Sequence, residues 1–156
     1  MRLLGALAIG AFAACSGGGD TTIDLTHDAC APLALVSAAA TSLQLEGIEA
    51  GQALWRDRGA PALGLRAGAT IDVQFQTAAA AFYGLYDDET GIIYINQDIT
   101  SRPALAIVIA HELGHAFGLP HVDKSERLSL MNPGNLTTAP TEEDQRALMA
   151  LWGACE

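Results

Sequence analysis

From Thr70 to Phe75 apolar and polar residues alternate, TIDVQF, a period of two that sets one face of a β-strand on a core and the other in water. Ala81 to Tyr86 and Ile92 to Asn96 are two further strand segments. The connector between them, Asp87-Asp88-Glu89-Thr90-Gly91, has the acids and glycine of a hairpin loop. The period then lengthens. Thr100 or Ser101 can cap a helix, Pro103 suits its first turn, and Ala104 to Phe117 contain no breaker except Gly114. Residues Ala104 to Ala110 are apolar all round, which predicts a central, buried helix that Gly118 stops.

Upstream, the segment from Ala31 to about Arg58 predicts one or two helices. Leu45, Ile48, Gln52 and Trp55 approximate one face, with Ala53 and Leu54 nearby, and Gly59-Ala60-Pro61 ends the run. Downstream, a loop passes through Met131-Asn132-Pro133. Thr141-Glu142-Glu143-Asp144 then opens a last helix with capping-box character and acids in its first turn. Leu148, Met149, Leu151 and Trp152 need a surface to pack on, and Gly153 ends the helix. The expected order is helix, strands, long buried helix, loop region and C-terminal helix. The chain's 156 residues suffice for one core and are too few for two.

Half the residues are apolar and 17% are charged, an ordinary globular composition. The net charge of −10 argues against nucleic acid as a partner, because phosphate binding needs a basic face. The first residues divide the chain further. Arg2 precedes an apolar run from Leu3 to Ala14, too short to span a bilayer but suited to the core of a signal peptide over residues 1–14. Phe12-Ala13-Ala14-Cys15 resembles a bacterial lipobox, with Cys15 as the lipid-modified residue and a tether over 15–29 that begins SGGGD. Ala11-Phe12-Ala13 also fits ordinary signal cleavage, so the expectation is an exported protein, either a lipoprotein held to the membrane only by its anchor or a freely secreted one. Cys30 and Cys155 then stand at the two ends of a domain over 30–156. In an oxidising compartment they read as a disulfide worth up to roughly 4–5 kcal/mol of loop entropy; two separate buried thiols are the alternative.

Chemistry concentrates in HELGHAFGLPH, residues 111–121, which holds three of the chain's four histidines. Four residues apart on a helix, His111 and His115 can aim two imidazoles at one point. A catalytic zinc site takes three protein ligands and keeps a fourth position open. Gly118 lets the backbone leave the helix sharply, and Leu119, preceding a proline, is pushed towards extended geometry, so His121 can come round as the third ligand. Glu112 sits beside the open position. As general base it can take a proton from attacking water and as general acid return it to a leaving amine. A zinc site kept only for structure would need neither Glu112 nor an open position.

These residues match the H-E-x-x-H-x-x-G-x-x-H signature of the metzincin metalloproteases. Leu130-Met131-Asn132-Pro133 looks like that clan's Met-turn, with Met131 beneath the metal. The chain is most similar to small matrixin-type catalytic domains, over roughly residues 40–153, and Asp144 matches an acid usual in their last helix. The resemblance implies an α+β, zincin-like fold: a twisted mixed β-sheet with a long buried active-site helix beneath it, a Met-turn and a C-terminal helix. It also implies an edge strand near Phe82 to Tyr86 that pairs with extended peptide substrate. There are departures. Matrixins usually hold a second, structural zinc through upstream histidines, and only His27 remains here, so that site is expected to be absent. Asn132 stands where they tend to have Tyr, which predicts no tyrosine ligand from that loop. Asp87-Asp88-Glu89 or Asp98 could offer oxygens to calcium, although a solvated acidic turn is the preferred reading. The expected function is zinc-dependent hydrolysis of peptide bonds by a monomer carrying one catalytic ion. The rivals are a zinc-binding lipoprotein acting as a non-catalytic interaction module, and a zinc hydrolase of cell-wall peptides.

Overall fold

A computed structural model describes residues 22–155. The segment read as a signal peptide, Cys15 and the first part of the tether lie outside the described residues. The elements run β1 (Leu33–Val36), α1 (Ser42–Arg56), β2 (Ala69–Gln76), β3 (Gly84–Asp87), β4 (Ile92–Asn96), α2 (Arg102–Ala116) and α3 (Glu142–Trp152). The sheet order is β1-β2-β4-β3. The first three strands in that order are parallel, and β3 runs antiparallel along the edge.

The alternation in β2 does what its period requires. Ile71 and Val73 are buried while Thr70 and Gln74 face water. Ile93 and Ile95 continue that apolar face on β4, and against it lies α2, buried from Leu105 to Gly114. Ser101 is the N-cap of α2 and Pro103 lies in its first turn, as read from the sequence. On the helix's other side α1 approaches closely, because Gly47 and Gly51 present no side chain. A Cβ on Gly47 would lie 2.5 Å from Leu105 Cδ2, and one on Gly51 2.8 Å from Ile109 Cγ2. Trp55 closes this interface. It is fully buried, stacks edge-on against Phe117 at 5.9 Å, and its Nε1–H donates to the Ala110 carbonyl at 2.8 Å.

One element departs from the sequence reading. The segment from Ala31 to Arg58 holds a single helix, and its first part is β1, whose Leu33, Ala34 and Leu35 are buried beside β2. A four-residue apolar run has no periodicity to separate a buried strand from a helical turn, and the parallel partner that decides it lies more than thirty residues on. The hairpin loop is as read, but its first strand is Gly84–Asp87 and not Ala81 to Tyr86, because the chain before it makes a turn closed by Phe82 N–H to Ala79 O.

Residues 22–29 lie across the hairpin and the end of α2. The Asp24 N–H donates to Asp88, the Tyr86 hydroxyl to the Leu25 carbonyl, and the His27 N–H to the Ala116 carbonyl. His27 Nε2 is buried without a hydrogen-bond partner among the described residues. Directly after this strap Cys30 is joined to Cys155, tying the two ends of the domain together.

Candidate metal centre

His111 and His115 occupy the last turns of α2, and the way the helix ends brings in His121. Gly118 takes φ +90°. Its N–H donates to the His115 carbonyl at 2.8 Å and the Leu119 N–H to the Gly114 carbonyl at 3.0 Å. That pair of bonds is a Schellman closure, which needs a left-handed residue and therefore favours glycine. The same turn delivers the Leu119 carbonyl to His115 Nδ1 at 2.8 Å. His111 Nδ1 meets the Leu130 carbonyl at 2.7 Å.

These two contacts decide the tautomers. A carbonyl oxygen can only accept, so each Nδ1 carries the proton and each Nε2 presents a bare lone pair. His111 Nε2 and His115 Nε2 each lie 3.2 Å from His121 Nε2. The His111 and His115 lone pairs both face His121 Nε2, an arrangement that either a cation among the three or a proton on His121 Nε2 satisfies. Tetrahedral ligands at a zinc–nitrogen distance of about 2.0–2.1 Å would be roughly 3.3 Å apart, so the donor set and its spacing fit zinc. Burial keeps His111 deprotonated, pushing it down to about 4 against the pull of the Leu130 carbonyl. Burial together with the neighbouring imidazoles takes His115 down to about 3. All three are thus neutral imidazoles at physiological pH, the form that could hold a metal ion.

Glu112 is buried beside them. Its Oε2 accepts the Tyr86 N–H of β3 at 2.8 Å. Burial pushes its carboxyl up to about 8, with the Tyr86 N–H pulling the other way. It opens on a cavity of about 90 Å³, whose walls include Phe82, Gly84, Val108, His121 and Asn135. Gly84 lies tight against the carboxylate, since a Cβ there would fall 2.8 Å from Glu112 Oε1.

Met131 is fully buried against Gly114 of α2, where a Cβ would be 2.5 Å from its Sδ. The one glycine inside the buried helix is therefore the seat of this methionine. Around it the loop is pinned. Asn132 Nδ2 donates to the Val122 and Arg127 carbonyls, its Oδ1 accepts the Ser129 N–H, and the Val122 N–H donates to the Met131 carbonyl. Asn132 thus ties the chain after His121 to the methionine loop, a role invisible in the bare sequence. Asp144 forms the capping box of α3 with Thr141 and also reaches Ser129, Leu130 and Arg127. The carboxylate of Asp87 accepts from Glu89 and Thr90 inside the hairpin loop, serving the turn itself.

No protein-family model matches the chain, and no curated protein does. Solved structures do. The chain is similar to myroilysin, with TM-score 0.55 and 12% identity over 83% of this chain and 86% of that one. It is similar also to high choriolytic enzyme 1, a hatching enzyme zinc-protease from Oryzias latipes (medaka fish), with TM-score 0.54 and 12% identity over 91% of this chain and 100% of that one. Mixed sheet, buried histidine-bearing helix and C-terminal helix together make this a metzincin-like α+β fold.

Proposed function

We propose that the chain is an exported zinc endopeptidase, with His111, His115 and His121 as ligands to one ion, Glu112 as general base and acid, and Met131 as the support beneath the site. The observation that carries this reading is the convergence of the Nε2 atoms of three histidines, two of them proton-free by their Nδ1 contacts, next to a buried carboxylate that lines the same cavity. Zinc, when bound, supplies a Lewis acid for the scissile carbonyl and brings the pKa of a coordinated water towards neutrality.

The protein's own part follows from the geometry. Among the described residues β3 pairs with β4 on one side only. The Tyr86 N–H points away from β4 to Glu112, so Gly84, two residues earlier, also turns its backbone N–H and C=O outward. An extended peptide can add there as a further strand and lie across Glu112. Glu112 is held by the Tyr86 N–H, which fixes the carboxylate without neutralising it. Burial raises its pKa to about 8 in the metal-free site; the charge of a bound zinc ion would pull it back down, leaving a carboxylate that could take a proton from the attacking water and return it to the leaving amine. The bridge between Cys30 and Cys155 supports an oxidising compartment, and the pattern around Cys15 supports a lipid anchor there.

The test is cleavage of a peptide library by zinc-loaded protein beginning at residue 16, beside its Glu112→Ala variant, with zinc content measured in both. The expected result is equal zinc and a loss of about 10²–10⁴-fold or more in kcat for the variant. Cleavage that survives the substitution would sink the assignment of Glu112. A folded, zinc-loaded parent that cuts nothing points instead to the non-catalytic interaction module.

A further inference from the structure

Asn135 has no part in the sequence motif, yet its amide is saturated. Its Oδ1 accepts the N–H groups of Thr137 at 3.1 Å and Thr138 at 2.9 Å, and its Nδ2 donates to the carbonyls of Thr138 at 2.7 Å and Leu130 at 3.1 Å. Two donors and two acceptor sites are all a side-chain amide offers. Three of those bonds close the loop over 135–138 on itself. The fourth goes elsewhere, to the carbonyl that also accepts His111 Nδ1–H at 2.7 Å. A carbonyl oxygen has two lone pairs, and here one holds a metal-site imidazole and the other a residue in the wall of the cleft. Asn135 is itself buried and lines the cavity that Glu112 opens on.

We propose that Asn135 is a positioning residue that fixes the His111 ring and the adjacent cleft wall together through the shared Leu130 carbonyl. The inference rests on the zinc-site reading above. Physically, the Asn135 amide holds the direction of the Leu130 C=O, and that carbonyl sets the rotation of the His111 imidazole about its Nε2 axis. Partners of this kind matter for metal sites because they orient the ligand and tune its basicity. A substrate side chain pressing on this wall acts on the same carbonyl. His115 does not share it, since its Nδ1–H goes to Leu119.

That asymmetry makes the test. In Asn135→Asp the side chain keeps its shape and its two acceptor contacts, but an oxygen replaces the amide donor facing the Leu130 and Thr138 carbonyls. Zinc affinity is measured by competition with a chelator, and the Nδ1–H protons of His111 and His115 are followed by NMR in the zinc-loaded proteins. The expected result is about tenfold weaker zinc binding and a shifted His111 signal with the His115 signal in place. A side chain that only packs the loop would leave both histidine signals and the affinity alone, and that outcome overturns the proposal. Should the variant not fold, hydrogen exchange in the zinc-loaded parent decides. The Asn135 amide protons and the His111 Nδ1 proton should then exchange at one common slow rate; Asn135 protons lost at once while His111 stays protected would overturn it. A parent that takes up no zinc removes the peptidase reading and this inference with it. A parent that binds zinc but cuts no peptide, with the His111 shift present in Asn135→Asp, removes the peptidase reading alone.

Discussion

Asp144 and His111 are held by the two ends of one residue: Asp144 Oδ2 accepts the N–H of Leu130 at 2.9 Å, and the Leu130 carbonyl accepts Nδ1–H of His111 at 2.7 Å. The last helix thereby orients the His111 imidazole on the buried helix through Leu130. Asp144 also accepts from Ser129 Oγ, Arg127 Nη1, and both the N–H and hydroxyl of Thr141. Burial alone would raise its carboxyl, but these donors outweigh it and hold the group below the usual carboxylate range. Asp144→Asn places an NH₂ among donors and strands Arg127. A loss of about 3–5 kcal/mol in stability is expected by urea denaturation of the metal-free protein, with zinc affinity falling about tenfold or more. A variant within about 1 kcal/mol of the parent would show that the network contributes little.

The metal-free protein should be most stable near pH 6–7 and lose stability on both sides. Below that, the unfolded chain protonates histidines near 6.5 while burial keeps folded His111 down to about 4 and His115 to about 3. The unfolded state therefore binds more protons, and stability falls as pH drops below about 6.5. Above it the sign reverses. Burial raises Glu112 to about 8, so folded protein keeps a proton that the unfolded chain has shed above about 4.5, and stability falls as pH rises towards 8. Melting temperature against pH in chelator checks this. The alkaline fall should vanish in Glu112→Gln, and a parent with no alkaline fall would show that Glu112 is ionised throughout.

Much of this site is legible in the sequence because its chemistry is local. His111, Glu112, His115 and Gly118 lie within eight residues, and helix periodicity plus one positive-φ glycine turns their spacing into geometry. The long helix is legible because its run is apolar on every side, and the hairpin because its loop carries the right residues. What stays hidden is set by distant partners. β1 is a strand because β2 lies alongside it, Gly114 is a glycine because Met131 needs the space, and Asn132 and Asn135 act on carbonyls of a loop that no periodicity describes. Asp144 can be read as a cap of α3, but its hold on Leu130 needs the loop in place.

Gly84→Ala should cripple cleavage while leaving the fold intact. Its backbone is compatible with alanine, since Gly84 has no positive φ. The difficulty is space: a Cβ would lie 2.8 Å from Glu112 Oε1, 2.9 Å from its Cγ and 3.0 Å from Val108 Cγ1. Glu112 cannot retreat far because the Tyr86 N–H holds its other oxygen. The carboxylate must swing, and an ångström of misplacement can cost about 10²-fold in rate. The expectation is that loss in kcat, with zinc content and melting temperature near those of the parent. Unchanged kcat would mean that β3 moves outward to make room.

The disulfide should matter for stability and not for chemistry. Cys30 and Cys155 are 125 residues apart in sequence, so the bridge constrains nearly the whole unfolded domain. The entropic contribution of such a loop is up to roughly 4–5 kcal/mol. Cys155 lies beyond α3, and Cys30 follows the strap that reaches Tyr86 through the Leu25 carbonyl. No atom of the bridge takes part in the contacts that orient His111, His115 or Glu112. Replacing both cysteines by serine should therefore lower the urea midpoint sharply, yet leave kcat/KM within about twofold well below the new melting temperature. A large fall in kcat/KM with the domain still folded would show instead that the strap transmits the bridge's constraint through Tyr86 to Glu112.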